Sequence, residues 1–563
     1  MSRTTSSNLA RGASLYVICV AVAKVLGLVW IIPVSALIGR DGLGIYSNAY
    51  AIYTILQQLA TSGFPLAMGK LISERLATGQ RSVVEHIYRV SMRSLLFFSV
   101  IAFLLMWFGA PIFAHLVSLK SSHQAMVQQV PTMRAVSLML LVIPAMSGLR
   151  GYLQGHQQLA PSAYSQTVEQ LFRVIAMVVG AYIIVKQFGG GHAGGAAAAT
   201  FGGFVGGVAG LLLLIIAVRP LRRAERSFGI DESPFRSGQI FRMVYRLAIP
   251  VSLGGLVVPI ANLVDSWTVT NLLQAGGQTY DAATANYGIL TRQAMYLVQL
   301  PMAFAYAIGV NILPAVAAAK AKKNQQAIQE NIVFTLRSMF LISFPTAVLL
   351  LVLSQAINES IFGSTTGSAI ISTVSFMSIF SSLELISTYI LQGLGKMYRP
   401  VRNMFIGVAI KLIFNFVLIL TFHSVIGAAL ATTIGYLCSS ALNIMAVRKY
   451  SQTYFSVRRI AKPFIGASVL TAIVLFLVNW LLHVGLMHLF THGERIGYII
   501  QFIVASLIGG VFYLYFILRS GTLRSDELQN IPGIGRYLGR LSRKIERRPP
   551  PPRQRYDRRP NRR

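Results

Sequence analysis

Fourteen stretches of about 20 or more predominantly apolar residues fill this chain, and they leave few folds open to it. They fall near 13–38, 44–69, 89–114, 129–152, 162–186, 193–218, 243–272, 284–312, 332–357, 367–392, 400–422, 425–447, 463–486 and 497–518. A helix of that length crosses a hydrocarbon core of roughly 30 Å. Only helices and closed barrels satisfy their backbone polar groups there. Strand-type alternation is absent, which excludes a β-barrel. With 54% hydrophobic and 12% charged residues, a soluble domain of 563 residues is excluded too. The first stretch is too long for a cleaved signal peptide and lacks a small-residue cleavage site. The expected fold is an all-α polytopic membrane protein with 14 transmembrane helices.

Net charge is +33, and its distribution argues against nucleic-acid binding. With the N-terminus inside, only Arg40, Lys120, Lys186 and Arg495 fall on external loops, and five more cations fall within spans. The remaining Lys and Arg crowd the other face, so both termini are expected in the cytoplasm. The tail that begins at Lys544 and ends at Arg563 is basic and Pro-rich. It is expected to be disordered and drawn to anionic membrane lipids. Cys19 and Cys438 both lie in spans, which excludes a disulfide framework. The nine histidines form no cluster with zinc spacing.

The first six spans and the next six resemble each other at an offset near 240 residues. Tyr46–Leu59 (YSNAYAIYTILQQL) aligns with Tyr287–Leu300 (YGILTRQAMYLVQL). Met92-Arg93-Ser94-Leu95 has a counterpart in Leu336-Arg337-Ser338-Met339. Leu153-Gln154-Gly155 matches Leu391-Gln392-Gly393, each with a proline shortly beyond (Pro161 and Pro400). Gly195–Thr200 matches Gly427–Thr432, and both spans close on Ala-Val-Arg, at 217–219 and 446–448. An even number of spans per repeat gives both repeats the same orientation, hence two parallel six-helix lobes. The expected organisation is a cytoplasmic N-tail over 1–12, an N-lobe over 13–219 and a basic linker over 220–242. A C-lobe over 243–448, two C-terminal helices within 449–518 and a basic tail over 519–563 follow. Small-residue runs such as AGGAAAATFGGFVGGVAG in span 6 read as close packing surfaces.

Lys24, Arg134, Arg173, Arg292 and Lys411 are the five intramembrane cations. A cation in hydrocarbon costs roughly 3 kcal/mol on insertion scales, so each needs a partner, a wet cavity or an anionic ligand. Lys24 lies near the middle of span 1 and Arg292 well below the outer end of span 8; both are candidates to bind an anion. Glu169 and Arg173 sit i, i+4 on span 5 and can pair on one helix face. Asp265 in span 7 is a partner for Arg292 or Lys24, or a ligand for a coupling cation. Glu384 in span 10 and Lys411 in span 11 are placed to pair with each other or to serve transport. Arg134 lies close to the outer interface and is expected to snorkel. Asn48, Gln57, Gln58, Asn262, Gln293, Gln299 and Asn311 add polar atoms on spans 2, 7 and 8.

The 6+6+2 arrangement, the parallel repeat, the Leu-Gln-Gly…Pro turns and the opening Arg11-Gly12-Ala13-Ser14 before an apolar helix resemble a known family. The chain resembles the SpoVB/YtgP branch of the multidrug/oligosaccharidyl-lipid/polysaccharide exporter superfamily, over roughly residues 5–520. MurJ-type flippases of that superfamily move the lipid-linked peptidoglycan precursor lipid II across the membrane. The resemblance implies two lobes about a cationic cavity that opens alternately to either side. It also implies a groove at spans 13 and 14 for a polyprenyl tail, and basic residues in helices one and eight. Lys24 and Arg292 match the latter by helix alone.

No G-x-x-x-x-G-K-[ST] sequence occurs, so ATP-driven transport by this chain alone is not expected. The expected activity is a flippase for an undecaprenyl-pyrophosphate-linked precursor, lipid II first, without covalent chemistry. No cofactor is expected beyond a coupling cation, Na+ or H+. A lipid-linked glycan is the expected partner, with cell-wall synthesis proteins an open one, and the chain is expected to act as a monomer. The rivals are a flippase for another lipid-linked polysaccharide unit, a cation-coupled drug exporter and a scaffold for wall synthesis. The exporter would want cavity carboxylates, but buried bases here outnumber acids. A scaffold leaves Lys24 and Arg292 unexplained.

Overall fold

The computed structural model describes residues 26–27, 30–61, 63–226, 233–489 and 494–520. Every regular element among them is helical. The residues divide into two compact units, one of Met1–Arg292 with Asn415–Ala428, the other of Gln293–Phe414 with Ala429–Arg563.

The first unit begins with α1 (Ile31–Thr61), bent at Gly39, where φ is 65° and ψ is −173°. α2 (Phe64–Ala77), α3 (Arg81–Val117), α4 (Ser122–Ser137), α5 (Met139–Gly155) and α6 (Leu159–Tyr182) follow. α6 continues as a π turn over Ile183–Gln187, before α7 (Gly191–Arg226), α8 (Ser237–Gly255), α9 (Val257–Ala275) and α10 (Tyr280–Gly288). A second π turn, Ile289–Ala294, carries Arg292. The second unit contains α11 (Met295–Ala321), α12 (Gln325–Val352), α13 (Ser354–Phe362), α14 (Ser368–Thr373) and α15 (Met377–Gly393). α16 (Tyr398–Phe422) and α17 (Ile426–Ser451) each have residues assigned to both units, and α18 (Val457–Leu489) and α19 (Glu494–Arg519) close the order.

Eleven helices among the described residues are long and apolar enough to cross a membrane. The three expected spans outside that set are 13–38, 44–69 and 243–272. The first falls mostly outside the described residues. The second is broken between α1 and α2, where Gly63 takes φ 77° and α2 opens with a proline in its first turn. The third is interrupted at Leu256. Pro259, which has no N–H to offer Gly255, explains why the helix does not run through.

The spans show the two faces a bilayer demands. On α3, Leu95, Ala102, Met106, Ala110 and Ala114 are buried, whereas Phe97, Leu105, Phe108 and Ile112 are exposed. A continuous apolar stripe of that kind on a water-facing surface would be a liability, and against acyl chains it is the expected surface. Inside the first unit, Phe64, Met68, Ile72, Leu95, Val142, Met146 and Tyr152 share one core. In the second, Val316, Leu336, Phe340, Ile386, Ile390, Phe464 and Ile517 do the same.

The small-residue run of α7 is a packing surface. Added methyls at Gly202 and Gly206 would run into Met177 and into Glu169 with Arg173, all on α6, and one at Gly210 into Met146 of α5 and then Ser165 and Glu169 of α6. Lipid gives apolar helices no hydrophobic drive to associate, so close backbone approach through small residues supplies the contact.

Local geometry recurs where the sequence repeats. A methyl at Gly155 would lie 2.7 Å from Ile72 Cβ and 3.1 Å from the Gly69 carbonyl oxygen. One at Gly393 would lie 2.8 Å from the Leu313 carbonyl oxygen and 3.0 Å from Val316 Cβ. Both helices then end in the same Schellman turn, Gln158 N–H donating to Leu153 and Lys396 N–H to Leu391. Its left-handed residue is Gln157 (φ 58°) in one case and Gly395 (φ 71°) in the other.

Candidate functional site

The first unit gathers polar and aromatic side chains on α1. Tyr46, Tyr50 and Tyr53 recur at helical spacing on one face, and their rings form a ladder with Trp30. Centroid separations are 5.3 Å for Trp30–Tyr46, 5.4 Å for Tyr46–Tyr50 and 5.1 Å for Tyr50–Tyr53. Arg292 lies against this ladder, its guanidinium carbon 4.7 Å from the Tyr46 centroid and 5.2 Å from that of Tyr50. Its Nε donates to Ser47 Oγ at 3.0 Å. Ser47 in turn donates to the Leu43 carbonyl at 2.7 Å, which leaves its oxygen free to accept from Arg292. The Thr291 hydroxyl lies 2.8 Å from the same oxygen. Among the described residues, no carboxylate forms an ion pair with Arg292. The π turn beneath it is a form often found at functional positions inside helices.

The next residue of α1, Asn48, is fully buried and accepts from Ser266 Oγ at 2.9 Å. Asp265, also buried, accepts from Asn415 Nδ2 at 3.2 Å. Asn415 Nδ2 lies 2.9 Å from Thr268 Oγ1 as well. Asn415 Oδ1 is buried with no hydrogen-bond partner. One amide nitrogen thus bridges the carboxylate of Asp265 and the hydroxyl of Thr268.

Glu169 and Arg173 pair as their spacing implies, Arg173 Nη2 to Glu169 Oε1 at 2.6 Å. Arg150 holds the other carboxylate oxygen, Oε2, at 2.8 Å and donates from Nε to Ser165 at 3.1 Å. Arg173 is thus one arm of a half-buried Arg–Glu–Arg group spread over α5 and α6. In the second unit, Glu384 accepts from Thr388 at 2.9 Å and lies 3.4 Å from Asn443 Nδ2, and Asn403 Nδ2 donates to Asn443 Oδ1 at 2.9 Å. Lys411 is buried, its Cβ against Gly435 much as the Cβ of Arg173 lies against Gly206. Arg134 donates to the Trp107 carbonyl at 3.4 Å and stands 5.7 Å from the indole centroid. Lys24 lies outside the described residues.

The structure therefore seats Arg292 and Ser266, the residue after Asp265, on consecutive residues of α1, and keeps Glu169 with Arg173. Sequence reasoning missed the tyrosine ladder, Ser47, Arg150 and Asn415. The i, i+4, i+7 spacing of the tyrosines was a usable signal. Arg150 was hidden by its position at a span margin, where a basic residue needs no special account.

Long apolar helices and a cation docked on aromatic rings within one unit are the make-up of a multi-pass membrane protein. Residues 9–320 match the model of the polysaccharide biosynthesis protein family, and the chain belongs to that family. It is 29% identical over 552 residues to the lipid II flippase MurJ of Bacillus subtilis strain 168, covering 95% of this chain and 100% of that protein. It is 24% identical over 533 residues to stage V sporulation protein B of the same organism, covering 94% and 98%. Among solved structures, an inward closed conformation of lipid II flippase MurJ superposes with a TM-score of 0.65 at 16% identity, covering 90% of this chain and 99% of that one. An inward-facing multidrug transporter of the MATE family reaches 0.61 at 14% identity, covering 78% and 100%. The chain is a MurJ-like member of this exporter superfamily and a multi-pass protein of the bacterial cell membrane.

Proposed function

We propose that the chain carries an undecaprenyl-pyrophosphate-linked cell-wall precursor, lipid II first among them, from the inner to the outer leaflet by alternating access. The observation that carries this reading is Arg292, held by Ser47 and two tyrosine rings with no carboxylate answering it among the described residues. A guanidinium so placed is oriented and available to a phosphate. Support comes from the near full-length relative that bears the name of a lipid II flippase. Fourteen crossings, both termini in the cytoplasm and action as a monomer complete the proposal. Lys24 is proposed to join Arg292 at the headgroup. Asp265 is proposed to bind a coupling cation, Na+ or H+, that resets the carrier. The step is transport without covalent chemistry.

The experiment is complementation of a strain depleted of its own lipid II flippase. The wild-type chain is expected to restore growth, and Arg292→Ala at equal membrane abundance is not. Full rescue by Arg292→Ala removes the site. The breadth of the family description favours a second reading, a flippase for another lipid-linked glycan. Failure of the wild-type chain to complement, with retained flipping of a different undecaprenyl-linked glycan in vesicles, would select it.

A further inference from the structure

One end of α7 borders a pocket of about 330 Å³ that the proposed transport step does not use. Its floor is apolar, made by Leu149, Ile215 and Val218, and its rim is basic, made by Arg219, Arg222 and Arg223 beside Tyr88. Arg222 is fixed: its Nη2 lies 2.9 Å from Glu85 Oε1, and its guanidinium carbon stands 4.1 Å from the Tyr88 ring centroid. Glu85 has no exposed side-chain surface and also takes Arg89 at 3.0 Å. One carboxylate thus answers two guanidinium groups and leaves a positive charge. Glu225, the nearby acid on α7, turns to His156 at 3.6 Å. Arg219 and Arg223 are exposed and have no carboxylate partner among the described residues.

The position of the pocket along the span selects its occupant. Ile215 and Val218 belong to the apolar length of α7, whose neighbours Leu212 and Ile216 are exposed. The three arginines begin where that apolar length ends. Apolar walls under a basic rim match an acyl chain under an anionic head, and a guanidinium fork matches a phosphodiester. A free phosphate would satisfy the rim and leave the floor bare.

We propose that this pocket holds the headgroup and upper acyl chain of an anionic glycerophospholipid from the leaflet at that end of the first unit. The site is separate from the surface attraction expected of the basic tail, and it does not depend on the substrate carried. The test is native mass spectrometry of the full-length chain in detergent, titrated with phosphatidylglycerol or phosphatidylcholine. The wild-type chain is expected to retain phosphatidylglycerol preferentially. The double variant Arg219→Ala/Arg223→Ala is expected to lose roughly tenfold of that preference, about the loss of one charge-assisted hydrogen bond. Arg222 is left in place because it supports Glu85. Arg458→Ala/Arg459→Ala, at the start of α18, is the control and should keep the preference. An unchanged melting temperature of the lipid-free double variant shows that its fold survives. Equal retention of both lipids, an undiminished preference in the double variant, or displacement of the lipid by equimolar inorganic phosphate would each overturn the proposal.

Discussion

Arg292 is tolerable inside a membrane because three kinds of contact spread its charge: a hydroxyl, two aromatic faces and the π turn that carries it. Each cation–π contact contributes about 0.5–2 kcal/mol, more as water is excluded. Tyr50→Leu removes one face and leaves the ion pairs of the unit intact. Transport by Tyr50→Leu in proteoliposomes is expected to fall about tenfold, whereas Tyr50→Phe, which keeps the ring, stays near wild type. Equal losses in both variants would show that the ring face is not what matters. Glu169 presents the opposite case, a half-buried anion holding two guanidiniums, Arg150 and Arg173. Removing the anion leaves two guanidiniums uncompensated, at about 1–3 kcal/mol for a half-buried group. Glu169→Gln should therefore lower the melting temperature and folded yield in detergent before any transport is measured. Stability equal to wild type would mean that water already reaches the group. The intramembrane acids and bases were legible in the sequence because charge stands out against apolar residues. Their partners were less so: Ser47 and Asn415 are ordinary polar residues until the fold brings Arg292 and Asp265 to them.

At the scale of elements, apolar runs announced most helices, since lipid leaves the backbone no other choice. The interruptions within runs were less visible. Gly39, Gly63 and the π turn at Ile289–Ala294 each change the path of a helix without changing its average apolarity. Gly63 is needed twice over. Its φ of 77° disfavours any residue with a Cβ, and a methyl there would overlap the carbonyl oxygen of Ala248 on α8. Gly79 offers a matched control, with φ 74° and nothing within 4 Å of an added methyl. Gly79→Ala should cost about 1 kcal/mol, the backbone penalty alone. Gly63→Ala should cost clearly more, because two backbones must separate. Thermal denaturation of the two variants side by side reads the difference, and equal shifts would mean that α2 and α8 do not pack as the structure has them. The repeated motifs Leu153-Gln154-Gly155 and Leu391-Gln392-Gly393 were readable because both serve one task, a close helix contact followed by a Schellman turn. The Gln157 and Gly395 exchange at the left-handed position shows how little identity that task requires.

For the whole molecule, the governing quantity is charge relative to the bilayer. The chain carries +33, with most of its Lys and Arg on one face by the expected topology. That asymmetry orients a membrane protein with its basic loops toward the cytoplasm. In that orientation the pyrophosphate-linked headgroup of the proposed substrate would leave a negative interior for the positive exterior. Each uncompensated negative charge moved outward gains about 2.3 kcal/mol per 100 mV. At one net charge this is roughly a fifty-fold bias at equilibrium. Export by the reconstituted chain should therefore quicken as an inside-negative potential is imposed with valinomycin and a potassium gradient, and slow when the gradient is abolished. A cation bound at Asp265 and returned inward with each cycle would deepen the dependence, and replacing Na+ by a larger organic cation would then lower it. A rate indifferent to potential across this range would mean that the translocated species is electroneutral, with Arg292 and its companions moving across the field together with the phosphate they bind.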